Sequence, residues 1–173
     1  MKSENLKIKQ LTTNHLDLIL ELQNEIFKEN NNNEKLLNSP KEILESYFEE
    51  KGFILGIFDD VELIGFSRIW FPNMDEISEN YKSVLKLNKE EISQTAFFRG
   101  SCIKKEYRGQ KLQKKLYENA INVLIYMGFK YITGKVKMEN IPAIKNLVEL
   151  NFKNEGMVIK NNEEYFIFRK KIK

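Results

Sequence analysis

With 173 residues, 42% of them hydrophobic and no low-complexity block, the chain suits a single domain, residues 1–173, with a real core. Lys+Arg 28 against Asp+Glu 25 leaves a net charge of only +3, which does not demand a polyanionic partner. Cys102 is the one cysteine and His15 the one histidine, so an intramolecular disulfide is excluded and zinc sites built on these residue types are practically excluded.

No metal is therefore expected, and a reducing cytoplasm is the expected compartment. The opening residues Met1–Asn5 are polar and lack an apolar signal core, and no run approaches bilayer-spanning length, so no membrane partner is expected. A Ser-His-Asp triad would have to use His15, which sits in a predicted first-helix segment with no nucleophile motif nearby.

The alternation of residues 6–11 predicts a strand, followed by a helix capped by Thr12 or Thr13. Leu16, Ile19, Leu20, Leu22, Ile26 and Phe27 give that helix its apolar stripe, and the Asn30–Asn33 run breaks it. A second helix is predicted over Pro40–Glu50, with Ser39 as cap and Gly52 as stop. Phe53–Phe58 and Leu63–Trp70 read as a hairpin around Asp59-Asp60-Val61-Glu62. Residues 72–94 read as an insertion with a helical piece.

Thr95–Ile103 returns to strand character, and Gly100 within it marks a bulge or a close backbone approach. After Tyr107-Arg108-Gly109 an amphipathic helix runs to Met127, with Leu112, Leu116, Ala120, Val123, Leu124 and Met127 facing inward and Gly128 ending it. Lys130–Met138 is the next predicted strand, with Ile132, Gly134, Val136 and Met138 alternating. Asn140 and Pro142 open another helix, and Glu155–Lys160 and Tyr165–Ile172 close the chain as two strands. This order places the fold in the α+β (mixed α/β) range, a mixed sheet with helices on both faces.

The stretch with the most chemical content is strand, turn and helix from Thr95 to Met127. A turn that delivers backbone N–H groups at a helix N-terminus suits an anion. This one also holds Lys104, Lys105, Arg108, Lys111, Lys114 and Lys115, with Glu106 as its acid. It is neither a Gly-Lys-Ser/Thr phosphate loop nor a Gly-x-Gly-x-x-Gly turn.

The order of elements, with Ile103-x-x-Glu106-Tyr107-Arg108-Gly109 before one helix and Asn140-x-x-Ala143-Ile144 opening the next, resembles the GCN5-related N-acetyltransferase (GNAT) family over essentially the whole chain. The resemblance implies a central, mostly antiparallel sheet splayed between strands 4 and 5. It also implies acetyl-CoA as cosubstrate and direct acetyl transfer to a primary amine in a ternary complex. Pyrophosphate would be held by an Arg/Gln-x-x-Gly-x-Gly/Ala turn and pantetheine would lie along the fourth strand.

Carried over residue by residue, the implied cofactor site is Ser101, Cys102, Ile103, Arg108, Gly109, Gln110, Lys111, Leu112 and Gln113, with Asn140 and Ala143 at the later helix. Backbone N–H groups around Cys102 and Ile103 would stabilise the oxyanion. Two departures stand out. Lys111 and Gln113 occupy the motif's glycine positions, and Leu147 replaces the tyrosine often used as general acid. Asn146 or a tyrosine from elsewhere is then a candidate partner for the thiolate. Asp75, Glu76, Glu79, Glu90 and Glu91 are carboxylates from which no general base is singled out. Cys102, inside a strand, reads as a buried small residue and not a nucleophile, and Trp70 and Phe71 as core or as acceptor lining.

The expected acceptor is a small-molecule or peptide amine, and the expected assembly a monomer or homodimer. Two other readings stay open. One is a degenerate, non-catalytic acetyl-CoA-binding domain. The other is a nucleic-acid-binding module using Lys104–Lys115 and Arg169–Lys173.

Overall fold

The computed structural model describes residues 6–29 and 38–173. The predicted Asn30–Asn33 break and the polar Met1–Asn5 opening lie outside the described residues. Seven strands are connected in the order β1-β2-β3-β4-β5-β7-β6: β1 (Leu6–Gln10), β2 (Gly52–Asp59), β3 (Glu62–Trp70), β4 (Thr95–Ile103), β5 (Tyr131–Lys137), β6 (Lys153–Lys160) and β7 (Glu163–Lys171). The β1–β2, β2–β3, β5–β7 and β6–β7 pairs are antiparallel and β4–β5 is parallel. The parallel ladder matches Thr95–Phe98 with Tyr131–Gly134 and ends there, while β4 runs on to Ile103 and β5 to Lys137. The chain is thus the mixed α/β fold that the order of elements predicts.

The described chain divides into two compact units. The first holds the residues up to Trp70 together with Arg99–Asn119. Here α1 (Leu16–Glu29) buries Leu16, Ile19, Leu22 and Ile26 in a core shared with Leu44, Tyr47, Ile54, Phe58, Leu63, Phe66 and Cys102. The helix is entered through a 3-10 turn at Thr13–His15, where the Thr12 N–H donates to His15 Nδ1 at 3.1 Å. The lone histidine therefore serves as a local cap.

The β2–β3 turn is Asp60-Val61, with Asp60 at φ 54, a conformation that aspartate tolerates better than most residues. The second helix differs from expectation. α2 covers only Lys41–Ser46, and Pro40, which fixes φ for a helix entry, stands at its N-cap. Ser39 is not the cap: its Oγ accepts from Arg68. Gly52 is not a helix stop but the first residue of β2, at φ +150 and pressed against the Ile69 carbonyl.

The second unit holds Phe71–Phe98 and Ala120–Lys173. Residues 72–94 form two short helices instead of one, α3 (Glu79–Leu85) and α4 (Lys89–Ser93). Asn88 caps α4 by accepting from the Glu91 N–H at 2.9 Å. α5 (Leu112–Tyr126) runs from the first unit into the second and ends at Gly128, φ 89. Its buried residues are Leu112, Leu116, Tyr117, Ala120, Ile121 and Leu124. Met127, expected to face inward, is 50% exposed because it lies past the last helical turn.

In β5 the alternation fails at Thr133, which is fully buried although its neighbours Ile132 and Gly134 are buried too. Its hydroxyl donates to the Phe168 carbonyl at 2.7 Å and faces the Tyr81 hydroxyl at 3.0 Å. Thr133→Val keeps the shape but removes the donor to a buried carbonyl, so stability should fall by about 1–3 kcal/mol in urea unfolding. An unchanged midpoint would show that this bond adds nothing net. α6 (Ile141–Glu149) starts as expected, with Asn140 Oδ1 accepting from the Ala143 N–H at 3.2 Å and Pro142 in the first turn. The closing turn Asn161-Asn162 has both residues at positive φ, 53° and 60°, the geometry of a tight hairpin.

Candidate active site

The predicted strand–turn–helix residues, Ser101–Gln113, are brought together within the first unit. Gly100, at φ +111, interrupts the alternation of β4: Thr95–Phe98 are buried in succession, Arg99 is exposed, and burial resumes at Cys102 and Ile103. What comes near Gly100 is a side chain and not another backbone: Arg68 Nη2 would lie 3.1 Å from a Cβ placed there.

At the far end of β4 the Lys104 N–H donates to the Ile64 carbonyl of β3 at 2.9 Å. Backbone groups alternate along a strand, so Ile103 presents its N–H and C=O at the opposite edge of β4. The Ile103 carbonyl accepts from Arg108 Nε at 3.0 Å, in agreement with that direction. Gly65 of β3 permits the close approach of this end, since a Cβ there would fall 2.4 Å from Ile103 Cδ1 and 2.9 Å from the Cys102 oxygen.

A 3-10 turn at Lys105–Tyr107 follows, then Arg108 in extended conformation, Gly109 at φ +79 and Lys111 at φ +58. Among the described residues nothing lies within 4 Å of a Cβ added to Gly109, so they leave that side of the turn open. The Lys111 carbonyl accepts from the Lys115 N–H at 3.1 Å, and α5 starts at Leu112. The N–H groups of the first turn of α5 therefore lie outside the helix ladder.

Lys111 stands in a left-handed conformation, as the glycine of the family pattern would. That conformation costs an L-residue about 1–2 kcal/mol. Lys111→Gly should accordingly raise stability by about 1 kcal/mol and the melting temperature by about 2–4 °C. A lower melting temperature would show that the lysine side chain contributes more than its backbone costs.

The charges of the turn are not all available to a ligand. Lys104 Nζ is ion-paired with Glu25 at 3.0 Å and Glu62 at 2.7 Å, which holds its ammonium well above the usual lysine range. Tyr107 donates to Asp59 at 2.8 Å. Lys105, Arg108 and Lys115 are exposed and appear in none of these pairs, and the Lys111 side chain is exposed as well. The basic tail is likewise engaged: Arg169 pairs with Glu91 at 3.3 Å and lies over the Tyr131 ring, and Lys170 donates to the Leu150 carbonyl. These pairings reduce the charge on which the nucleic-acid reading rested.

Cys102 and Leu112 are buried in the core, so any polar contact they offer comes from the backbone. Ser101 Oγ accepts from Gln113 Nε2 at 2.6 Å and lies 3.5 Å from the Tyr117 hydroxyl. Gln113, in place of the second motif glycine, thus ties the helix start to β4. Burial raises the Tyr117 pKa. Tyr117 carries no motif and would be found only as the residue one turn after Gln113 on the same helix.

In the second unit, Asn140 and Ala143 meet through the cap bond, Asn146 is half-buried on α6, and Leu147 is buried in the core. Glu91 is committed to its cap and to Arg169. Glu76 accepts from the Asn73 N–H, and Glu79 pairs with Lys82. A groove of about 350 Å³ in this unit is lined by Tyr131, Asn151, Lys153, Glu155, Arg169, Lys170 and Lys171, none of them predicted for the acetyl-CoA site.

The sequence pattern of the Acetyltransferase (GNAT) family matches residues 16–152. No curated protein matches the chain significantly. Among solved structures, a GNAT-family acetyltransferase of Streptococcus pneumoniae superposes with a TM-score of 0.74 at 16% identity, covering 98% of this chain and 100% of that one. An N-acetyltransferase of Staphylococcus aureus gives a TM-score of 0.73 at 17% identity, covering 98% and 100%. The yncA protein of Salmonella typhimurium, determined with its cofactor acetyl-CoA, gives 0.71 at 10% identity, covering 97% and 94%. At these identities the likeness shows the fold.

Proposed function

From the premise that the chain belongs to the GNAT acetyltransferase family, we propose that residues 1–173 act as one N-acetyltransferase domain moving an acetyl group from acetyl-CoA to a primary amine. The observation that carries this reading is the turn from Ile103 to Leu112. Its left-handed Gly109 and Lys111, its Arg108 fork anchored on the Ile103 carbonyl and its open outer side suit a diphosphate-bearing ligand.

Bound acetyl-CoA supplies an activated thioester. Around it Arg108, Lys111 and the backbone N–H groups of Gly109–Gln113 hold phosphate. Ser101 and Ile103, on either side of Cys102, would turn their backbone groups to the edge of β4 away from β3, where the pantetheine arm would lie. The Ile103 N–H would be the donor for the oxyanion. In the second unit, Asn140 and Ala143, which the family resemblance assigns to the cofactor, meet through the cap bond that opens α6.

In the reaction the neutral amine forms a bond to the thioester carbon, the carbon–sulfur bond breaks, and the amine proton passes to water or a base. The departing sulfur needs no tyrosine at the Leu147 position, because a thiol of pKa about 8.5 leaves as thiolate and is protonated by water. Holding both substrates together supplies a further large part of the rate.

A thiol-release assay over diverse amines tests the activity. The reading expects acetyl-CoA-dependent, amine-dependent thiol release. Binding of acetyl-CoA without release for any amine would favour the degenerate alternative.

A further inference from the structure

Beside the proposed acetyl site, on the same unit, lies a cationic platform that the transferase reading does not use. Arg99, immediately before Gly100, is exposed, and its guanidinium lies 4.3 Å over the Trp70 ring. Stacking of this kind fixes a long side chain before any ligand arrives. Behind it, Arg68 is only 3% exposed. Arg68 is anchored through Nη1 to Ser39 Oγ and through Nη2 to the Arg99 carbonyl at 2.9 Å. Burial pushes the Tyr47 phenol up, and the charges of Arg68 and Arg99 act in the opposite sense.

Several other partly covered cations are neutralised: Lys82 by Glu79, Lys104 by Glu25 and Glu62, Lys137 by Glu163, and Arg169 by Glu91. Arg99 has no carboxylate partner among the described residues. Two adjacent guanidinium groups raise the local potential, which favours an anion and disfavours a polycation. Gly100 alone stands between Arg99 and Ser101, a span of at most about 7 Å. A carboxylate on the Arg99 fork would therefore leave a nearby amine within reach of the Ser101–Ile103 edge.

We propose that Arg99, stacked on Trp70 and backed by Arg68 and Tyr47, binds the carboxylate of the acceptor, so that the substrate is a small amine carrying its own carboxylate, of the amino-acid class. This specificity rests on the transferase reading. A polyamine or an uncharged amine gains nothing at the platform.

The test pairs each standard L-amino acid with its own carboxamide, and adds spermidine as a polycation. Melting temperature is read at about 10 mM probe, with and without acetyl-CoA, and thiol release is read on the same panel. At least one amino acid should raise the melting temperature where its amide does not, and should exceed the amide about tenfold in kcat/KM, equivalent to about 1.4 kcal/mol. Arg99→Gln should erase that preference through KM, and Arg99→Lys should retain part of it.

Acetyl-CoA affinity, titrated separately, should be the same in all three proteins. Failure of that titration would sink the transferase reading, while the probe-induced melting shift still judges the platform. The platform proposal is overturned if no amino acid shifts the melting temperature more than its amide, if the amide or spermidine is the better substrate, or if Arg99→Gln leaves the preference intact.

Discussion

Gly52→Ala should destabilise the protein by about 3–5 kcal/mol, from overpacking and a backbone conformation closed to side chains. An added Cβ at residue 52 would fall 1.9 Å from the Ile69 oxygen and 2.9 Å from its carbon, and φ there is +150°. The obstacle is backbone, so no rotamer change relieves it. The ladder pairs Gly52 with Trp70 and Phe53 with Ile69, and the strand ends must part for the methyl to fit. A loss of this size is a large fraction of the 5–15 kcal/mol typical of a domain. The melting temperature should fall by about 6–15 °C. A fall of less than about 2 °C would mean that β2 can enter the sheet by another path.

Arg108→Ala should weaken acetyl-CoA binding tenfold to a hundredfold, equivalent to about 1.4–2.7 kcal/mol, within the range of a hydrogen bond to a charged group. The side chain is exposed, so the melting temperature of the free protein should hardly move. The Nε bond to the Ile103 carbonyl aims the fork and leaves its terminal nitrogens as phosphate donors. Arg108→Lys should recover only part of the loss, because lysine keeps the charge but cannot hold that carbonyl and a phosphate in the same plane. Unchanged affinity in Arg108→Ala would remove the arginine from the phosphate site.

Features that depend on local chemistry were legible from residue order. The strand Thr95–Ile103, the cap at Asn140, the hairpin at Asp60 and the stop at Gly128 each follow from spacing or from one residue's backbone preference. Features set by distant partners were not. Ser39 is chemically a good cap, but Arg68, 29 positions later, takes its hydroxyl. Gly52 follows a polar turn and resembles a helix stop, yet its role comes from the Ile69 carbonyl across the hairpin.

Arg68 itself left a trace, a single charge within the apolar run Leu63–Trp70. A charge in a buried strand has to find hydrogen-bond partners, and this one found Ser39 and the backbone beside Gly100. In the turn, the lysine at a glycine position foretold the strained geometry at Lys111, φ +58. The Ser101–Gln113–Tyr117 contacts needed the helix to be placed against β4 before they could be read.

Calorimetric titration of the purified chain with acetyl-CoA tests most directly whether the Ile103–Leu112 turn holds that cosubstrate. Saturable binding at one site per chain, with a dissociation constant of about 10 μM or below, is the predicted result. No binding heat with both components at tens of micromolar, roughly, would contradict it.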